Sequence, residues 1–265
     1  MKIRSIHFVI NETKVDAHEV HGRLSSALVR YGMVETVSPG EADAIIALGG
    51  DGTILRAFRS CPGKPVAGFN IGSLGYLSCV ERKHFEDALK MLSDGQFRIS
   101  SRTMLAVRKT GSARGFAAVN DVVLTRELSG HAGAFDLTVN SRPAARYVAD
   151  GLVFATPTGS TAYSLAAGGP VVMPDSGSFV VTPMNPHALG VRPIVVNDSV
   201  TMRATVSGKS HMSKTGVYVD GENAMMLSEG ESVDIEKSPN TASLIEFEGY
   251  DPYDVMARKL GWCVA

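Results

Sequence analysis

The stretch Ala44-Ile45-Ile46-Ala47-Leu48-Gly49-Gly50-Asp51-Gly52-Thr53 decides the fold of this chain. Its five opening residues are apolar without alternation, which suits a strand buried on both faces of a parallel sheet. Glycines follow at once, and ILRAF at 54–58 then reads as the start of a helix, so the segment is a strand, a tight turn and a helix. Successive glycines let backbone N–H groups approach a phosphate, and a helix N-terminus favours an anion. Gly49, Gly50, Gly52 and Thr53 are the candidate phosphate loop. Asp51 complicates a plain anion cradle. A carboxylate there suits phosphoryl transfer to an alcohol if it binds Mg²⁺, engages a hydroxyl or acts as a base. The alternative is an Asp-Gly turn in which Asp51 caps the helix.

Working outward, Ile6 to Ile10 reads as a first strand and about Asp16 to Tyr31 as a helix with Val20, Leu24 and Leu28 on one stripe, stopped by Gly32. A second strand covers Val34 to Val37, and Pro65 to Phe69 is another buried run. Helical periodicity returns at Phe85, Ala88, Leu89 and Leu92. Past DGQ at 94–96 the texture changes: MLAVRK, AAVNDVVLT, FDLTVN, SVTMRATV, GVYVD and SVDIE are short strand-like runs separated by turns. The expected class is α/β, with a Rossmann-like α/β domain over 1–97 and a β-rich domain over 98–265. The length of 265 residues, at roughly 150 per domain, agrees with two domains.

Composition narrows the function classes. Lys and Arg number 26 against 27 Asp and Glu, so no basic field exists for nucleic acid or an anionic membrane, and neither is expected as a partner. No run approaches about 18 apolar residues, and MKIRSIHFVI is too short for a signal peptide. Cys61, Cys79 and Cys263 are odd in number and widely spaced, which fits a reducing cytoplasm. His18-Glu19-Val20-His21 lacks the spacing of a zinc-binding HExxH, so no metal-ligating residues are assigned. GxxxxGK[ST], GxGxxG and GxSxG are all absent. Trp262 is expected to pack.

Two further glycine-rich segments follow apolar runs: Asn70-Ile71-Gly72-Ser73-Leu74-Gly75-Tyr76-Leu77, and DGLVFATPTGSTAYSLAAGGP over 150–170. The second leads a strand into a hydroxyl-rich loop and a small-residue helix, where Tyr163 is placed either to cover a base or to pack. Together, GGDGT at 49–53, NIGSLGYL at 70–77, DGLVFATPTGSTAYSLAAGG at 150–169, RPI at 192–194 and DGE at 220–222 resemble the NAD kinase family. GGDGT alone is shared with lipid kinases of the diacylglycerol and sphingosine types, whereas TPTGSTAY discriminates.

The resemblance implies transfer of a phosphoryl group from ATP to the 2′-hydroxyl of the adenosine ribose of NAD, with Mg²⁺ and with Asp51 as general base. Polyphosphate as an alternative donor is left open. It also implies an active site between the two domains, in a homodimer or homotetramer, and a terminal segment, about 251–265, packed back on the first domain. Carried across residue by residue, Asp51 and Gly52 approach the dinucleotide, Asn120 and Asp121 meet its adenosine end, and Asp150 with Thr161, Ala162, Tyr163, Ser164, Leu165 and Ala166 lines the nucleotide. Arg146 and Asn223 are further contact candidates. The sequence departs from the family at Asp121, where Glu is common, and at Val148, where a basic residue is common. A lipid kinase and a non-catalytic nucleotide-binding regulator are the competing readings.

Overall fold

The decisive segment forms β3 (Ala44–Gly49), six residues that are all buried, followed directly by a helix at Asp51. The computed structural model describes residues 2–72, 75–78, 80–126, 132–207 and 214–262. In chain order the elements are β1 (Ser5–Ile10), α1 (Ala17–Leu28), β2 (Val34–Glu35), β3, α2 (Asp51–Ser60), β4 (Val66–Asn70), β5 (Val80–Glu81), α3 (Phe85–Asp94), β6 (Phe97–Lys109), β7 (Gly115–Ala118) and β8 (Asp121–Arg126). They continue with β9 (Gly133–Val139), β10 (Arg142–Ala149), β11 (Gly151–Ala155), α4 (Tyr163–Ala166), β12 (Ser178–Met184), β13 (Ile194–Asn197), β14 (Met202–Ser207), β15 (Thr215–Val219), β16 (Glu222–Leu227), β17 (Ser232–Phe247) and α5 (Pro252–Leu260).

The chain divides into two compact units, one of residues 1–101 plus the chain from Ala242 onward, the other Arg102–Thr241. The crossings fall inside β6 and β17, strands of 13 and 16 residues. The first crossing lies at 101/102 and the second at 241/242. The second crossing follows the turn-like run Ser238-Pro239-Asn240-Thr241, which β17 nonetheless contains.

In the first unit β2, β1, β3 and β4 lie side by side and parallel, with Ile46 between Phe8 and Ala67. β4 also pairs in parallel with β5 and, at Val66–Leu244, with the end of β17. Parallel strands need crossover helices, and these supply the apolar cover. Val20, Leu24 and Leu28 of α1 and Phe85, Ala88, Leu89 and Leu92 of α3 join Ile6, Ile46, Leu48 and Phe69 in one core. α1 tightens into a single 3₁₀ turn, Val29–Tyr31, before Gly32 closes it at φ 65°, a left-handed angle that favours glycine. Because β1, β3 and β4 are parallel, the loops that follow them, beginning at 11, 50 and 71, leave the same edge of the sheet.

α5 belongs to this unit. It is capped by Asp251, whose Oδ1 accepts the Tyr253 N–H at 2.9 Å, and it buries Val255 and Met256. Trp262, expected to pack, is 63% exposed, because Gly261 ends the helix at φ 67° and turns the chain away. Cys61 is a buried free thiol, while Cys79 and Cys263 lie outside the described residues.

The second unit is β-rich. One antiparallel sheet runs β13-β12-β11-β8-β15-β16, and a second set runs β10-β9-β14-β17, with β6 paired to β17 and β7. Leu124, Leu152, Phe154 and Phe179 on one face of the six-stranded sheet enter the main core with Phe135 and Leu137 of β9. Val123, Val153, Ala155 and Val180 on its other face form a smaller cluster with Val172. Burial on both faces explains why VVL and LVFA run apolar without alternation.

Candidate active site

Gly50 is the N-cap residue of α2, and no side chain caps that helix. Asp51, the first helical residue, does not act as the cap that a plain Asp-Gly turn would use. Its carboxylate turns to the loop after β4: Oδ2 accepts the Tyr76 N–H at 2.7 Å, while Oδ1 accepts the N–H groups of Leu77 and Ser78 at 3.0 Å and the Ser78 hydroxyl at 3.1 Å. Hydrogen bonds to a charged acceptor contribute about 1.5–3 kcal/mol each, so Asp51 is the pin between the two motif loops. A carboxylate offers about four acceptor sites, two per oxygen. Oδ2, with one donor, keeps room for a ligand hydroxyl. The Tyr76 phenol is held above its ordinary value by burial and then by the Asp51 charge. Ser73 and Leu74 of this loop lie outside the described residues.

The glycines here separate into two kinds. A methyl group on Gly49 would lie 2.2 Å from Thr53 Oγ1, and one on Gly75 would lie 2.0 Å from Asp51 Oδ1, so packing within the chain excludes side chains there. At Gly50 and Gly52 an added Cβ meets nothing within 4 Å, and neither residue has a positive φ. The chain's own packing gives no reason for glycine at these two positions. Close approach of a ligand to bare backbone gives one.

In the second unit, Asp220 organises the Asn120 segment. Its carboxylate accepts the N–H of Val119 at 2.9 Å, of Asn120 at 2.8 Å and of Asp121 at 3.2 Å, while its own N–H donates to the Asp121 carbonyl at 3.0 Å. From the other side Thr156 donates its hydroxyl to the Val119 carbonyl at 2.6 Å and its N–H to the Asn120 carbonyl at 2.9 Å. Asn120 is thus fixed through both peptide groups, and its Oδ1 is buried with no hydrogen-bond partner. A buried, unpaired amide oxygen is costly and marks a place where a donor from a ligand fits. Asp121 is 5% exposed, and burial, followed by the Asp220 charge, pushes its carboxyl up to about 7.

The 150–170 segment leaves β11 into a 3₁₀ turn at Thr158–Thr161 and the single turn of α4. Several of its hydroxyls serve the chain itself. Thr161 Oγ1 donates to the Thr158 carbonyl at 3.2 Å, and Ser164 Oγ pairs with Thr182 Oγ1 at 2.8 Å in the interior. Tyr163 is 45% exposed, so its ring is available to cover a base, and Ala166 is exposed while Ala162 and Leu165 are half-buried. Asp150 is exposed, its Oδ2 accepting from Asn185 Nδ2 at 3.0 Å. Arg146 stands in register with Asp136 across β9 and β10, 3.6 Å from it, a solvated cross-strand pair. Asn223 is exposed and points its amide at Met226 Sδ, 3.6 Å away. Neither Arg146 nor Asn223 joins the Asn120–Asp121–Asp220 cluster by any hydrogen bond or ion pair among the described residues.

Asp220 and Ser78 are the site residues that sequence reasoning missed. DGE at 220–222 was a visible signal for the first. Nothing local marks Ser78. Among the described residues no three His, Cys, Asp or Glu side chains converge as a ligand set.

Comparison with known proteins places this geometry in a family. Residues 6–97 match the model of the ATP-NAD kinase N-terminal domain, and 119–247 that of the ATP-NAD kinase C-terminal domain. The NAD kinase of Prosthecochloris aestuarii is 34% identical over 274 residues, covering 96% of this chain and 95% of that protein. That of Symbiobacterium thermophilum is 38% identical over 245 residues, covering 89% and 86%. Among solved structures, yeast NADH kinase complexed with NADH superposes with a TM-score of 0.87 at 23% identity, covering all of this chain and 89% of that one. An NAD kinase from Archaeoglobus fulgidus in complex with ATP gives 0.77 at 24%, with both chains fully covered. The two solved structures share the α/β-then-β-rich fold, and the sequence matches along nearly the whole chain establish that this protein belongs to the NAD kinase family.

Proposed function

We propose that this protein phosphorylates NAD with ATP to give NADP and ADP. The 2′-oxygen of the adenosine ribose forms a bond to the γ-phosphorus, the bond from that phosphorus to the β,γ-bridging oxygen breaks, and the hydroxyl proton is released. The observation that carries this reading is the Gly50-Asp51-Gly52 turn: two glycines with open space over their backbone flank a carboxylate whose Oδ2 accepts one hydrogen bond from the chain. In this reading that oxygen receives the ribose hydroxyl and its proton, while the four donors on the carboxylate hold it still. A carboxylate is a weak base for an alcohol, so orientation contributes more than basicity.

Asn120, with its unpaired Oδ1, fits a donor group on the adenosine end, and Tyr163 fits the face of a base. Magnesium, carried on the donor phosphates, supplies charge neutralisation in the transition state. The test is a panel of MgATP or polyphosphate with NAD, NADH or a diacylglycerol, reading the phosphorylated product. NADP formed from NAD supports the assignment. A lipid phosphate formed without NADP, or no product from any pair, overturns it.

A further inference from the structure

Among the described residues, several cations stand on or beside the strand-end loops of the first unit, Lys259 among them with its ammonium 5.4 Å from the centre of the Tyr76 ring. Arg56 donates to the Ile10 carbonyl, and Arg82 pairs with Asp16. Lys14 is different. It is exposed, and it has neither an ion pair nor a side-chain hydrogen bond among the described residues. Its backbone is nonetheless fixed. Lys14 N–H donates to the Asn11 carbonyl at 3.1 Å, Ala17 N–H donates to the Lys14 carbonyl at 3.1 Å, and Asn11 N–H donates to the Leu48 carbonyl at 3.0 Å, which ties the loop to the end of β3. The Asn11 side chain closes the turn by accepting from Thr13 N and Oγ1.

The ammonium lies over Gly72. A Cβ built there would be 3.5 Å from Lys14 Nζ and 3.9 Å from Cε. From Gly72 a hydrogen-bonded chain runs straight to Asp51: Gly72 N–H donates to Asn70 Oδ1 at 2.6 Å, Asn70 Nδ2 donates to Ser78 Oγ at 3.1 Å, and Ser78 Oγ donates to Asp51 Oδ1 at 3.1 Å. The unpaired ammonium therefore lies beside Gly72, one end of the frame that holds the reacting turn, while the backbone of Gly50 and Gly52 is bare. A compact cation with three donors suits a condensed phosphate chain.

We propose that Lys14 binds a phosphate of the reacting nucleotides, an inference that rests on the kinase reading for its place in the reaction. Titration calorimetry with inorganic tripolyphosphate compares the wild type, Lys14→Met and Lys14→Arg. The expected result is about tenfold weaker binding by Lys14→Met with recovery in Lys14→Arg, because one charge-assisted contact is removed and then replaced. Equal affinities in all three, or no binding by the wild type, overturn the proposal. Steady-state kinetics then locate the phosphate: a raised KM for ATP with NAD unchanged assigns it to the donor, a raised KM for NAD alone assigns it to the acceptor pyrophosphate, and unchanged values for both overturn the role in the reaction. If the wild type makes no NADP, the kinase reading falls, and the tripolyphosphate titration still decides whether Lys14 binds phosphate.

Discussion

Asp220 takes the backbone N–H of Asn120 at 2.8 Å, a bond spanning 100 residues of sequence, and shares the same oxygen with the N–H of Asp121. One carboxylate therefore sets the path of the segment that presents the unpaired Asn120 amide. Asp220→Ala removes that acceptor and leaves three N–H groups in search of partners. It is expected to cost about 2–4 kcal/mol in urea unfolding and to raise the KM for NAD at least about tenfold. An unchanged KM in a folded variant would separate Asp220 from the dinucleotide site.

Asp51 and Gly75 form a matched pair. Asp51→Asn turns one acceptor into an NH₂ group facing backbone donors, so turnover is expected to fall at least about a hundredfold and the melting temperature to drop as well. Gly75→Ala places a methyl group 2.0 Å from Asp51 Oδ1 and leaves the carboxylate chemistry intact. It is expected to mimic Asp51→Asn in turnover. Ser78→Ala loses a hydroxyl donor and keeps the three N–H bonds, so it should retain most activity. Normal turnover in Gly75→Ala would refute the view that the loop holds Asp51 in place.

Much of this was legible because the deciding signals are local. An unbroken apolar run of five residues before Gly49 suits a doubly covered strand, and Val20, Leu24 and Leu28 specify a helix face by spacing alone. Asp51 was identifiable as the unusual residue of its turn. Its partners were not, because backbone N–H groups at 76–78 carry no side-chain identity. The clamp from Asp220 was hidden by sequence distance. Trp262 misled because large aromatics are mostly buried on average, whereas this one follows a helix-ending glycine.

Gly159 packs against the Asn120 backbone, and a Cβ on it would lie 2.0 Å from the Asn120 carbonyl oxygen. Main chain cannot yield as a flexible side chain would. Gly159→Ala is expected to lower stability by about 2–4 kcal/mol and to weaken NAD binding by displacing Asn120. Gly168→Ala, where the added Cβ meets nothing, is strained only by its φ of 86° and should cost about 1–2 kcal/mol without that binding defect. Denaturant titration with and without NAD distinguishes the two.

Asp121 should make the fold less stable as pH rises. Its carboxyl, pushed up to about 7 by burial and then by the Asp220 charge, is neutral in the folded chain at pH 5 but ionised in the unfolded chain. A value raised on folding stabilises fully below about 4, and the contribution is lost as pH climbs through about 7. The whole change is at most about 4 kcal/mol. Glu231, held low chiefly by the hydrogen bond from Lys109, acts in the opposite direction at lower pH, as do Asp43 and Asp94, so wild-type curves alone mix these groups. Asp121→Asn isolates the term because it cannot ionise. Relative to the wild type it should gain about 1–3 kcal/mol at pH 8 over its difference at pH 5, read from paired unfolding curves. A difference that stays flat between those pH values would show that Asp121 is already ionised in the folded protein at pH 5.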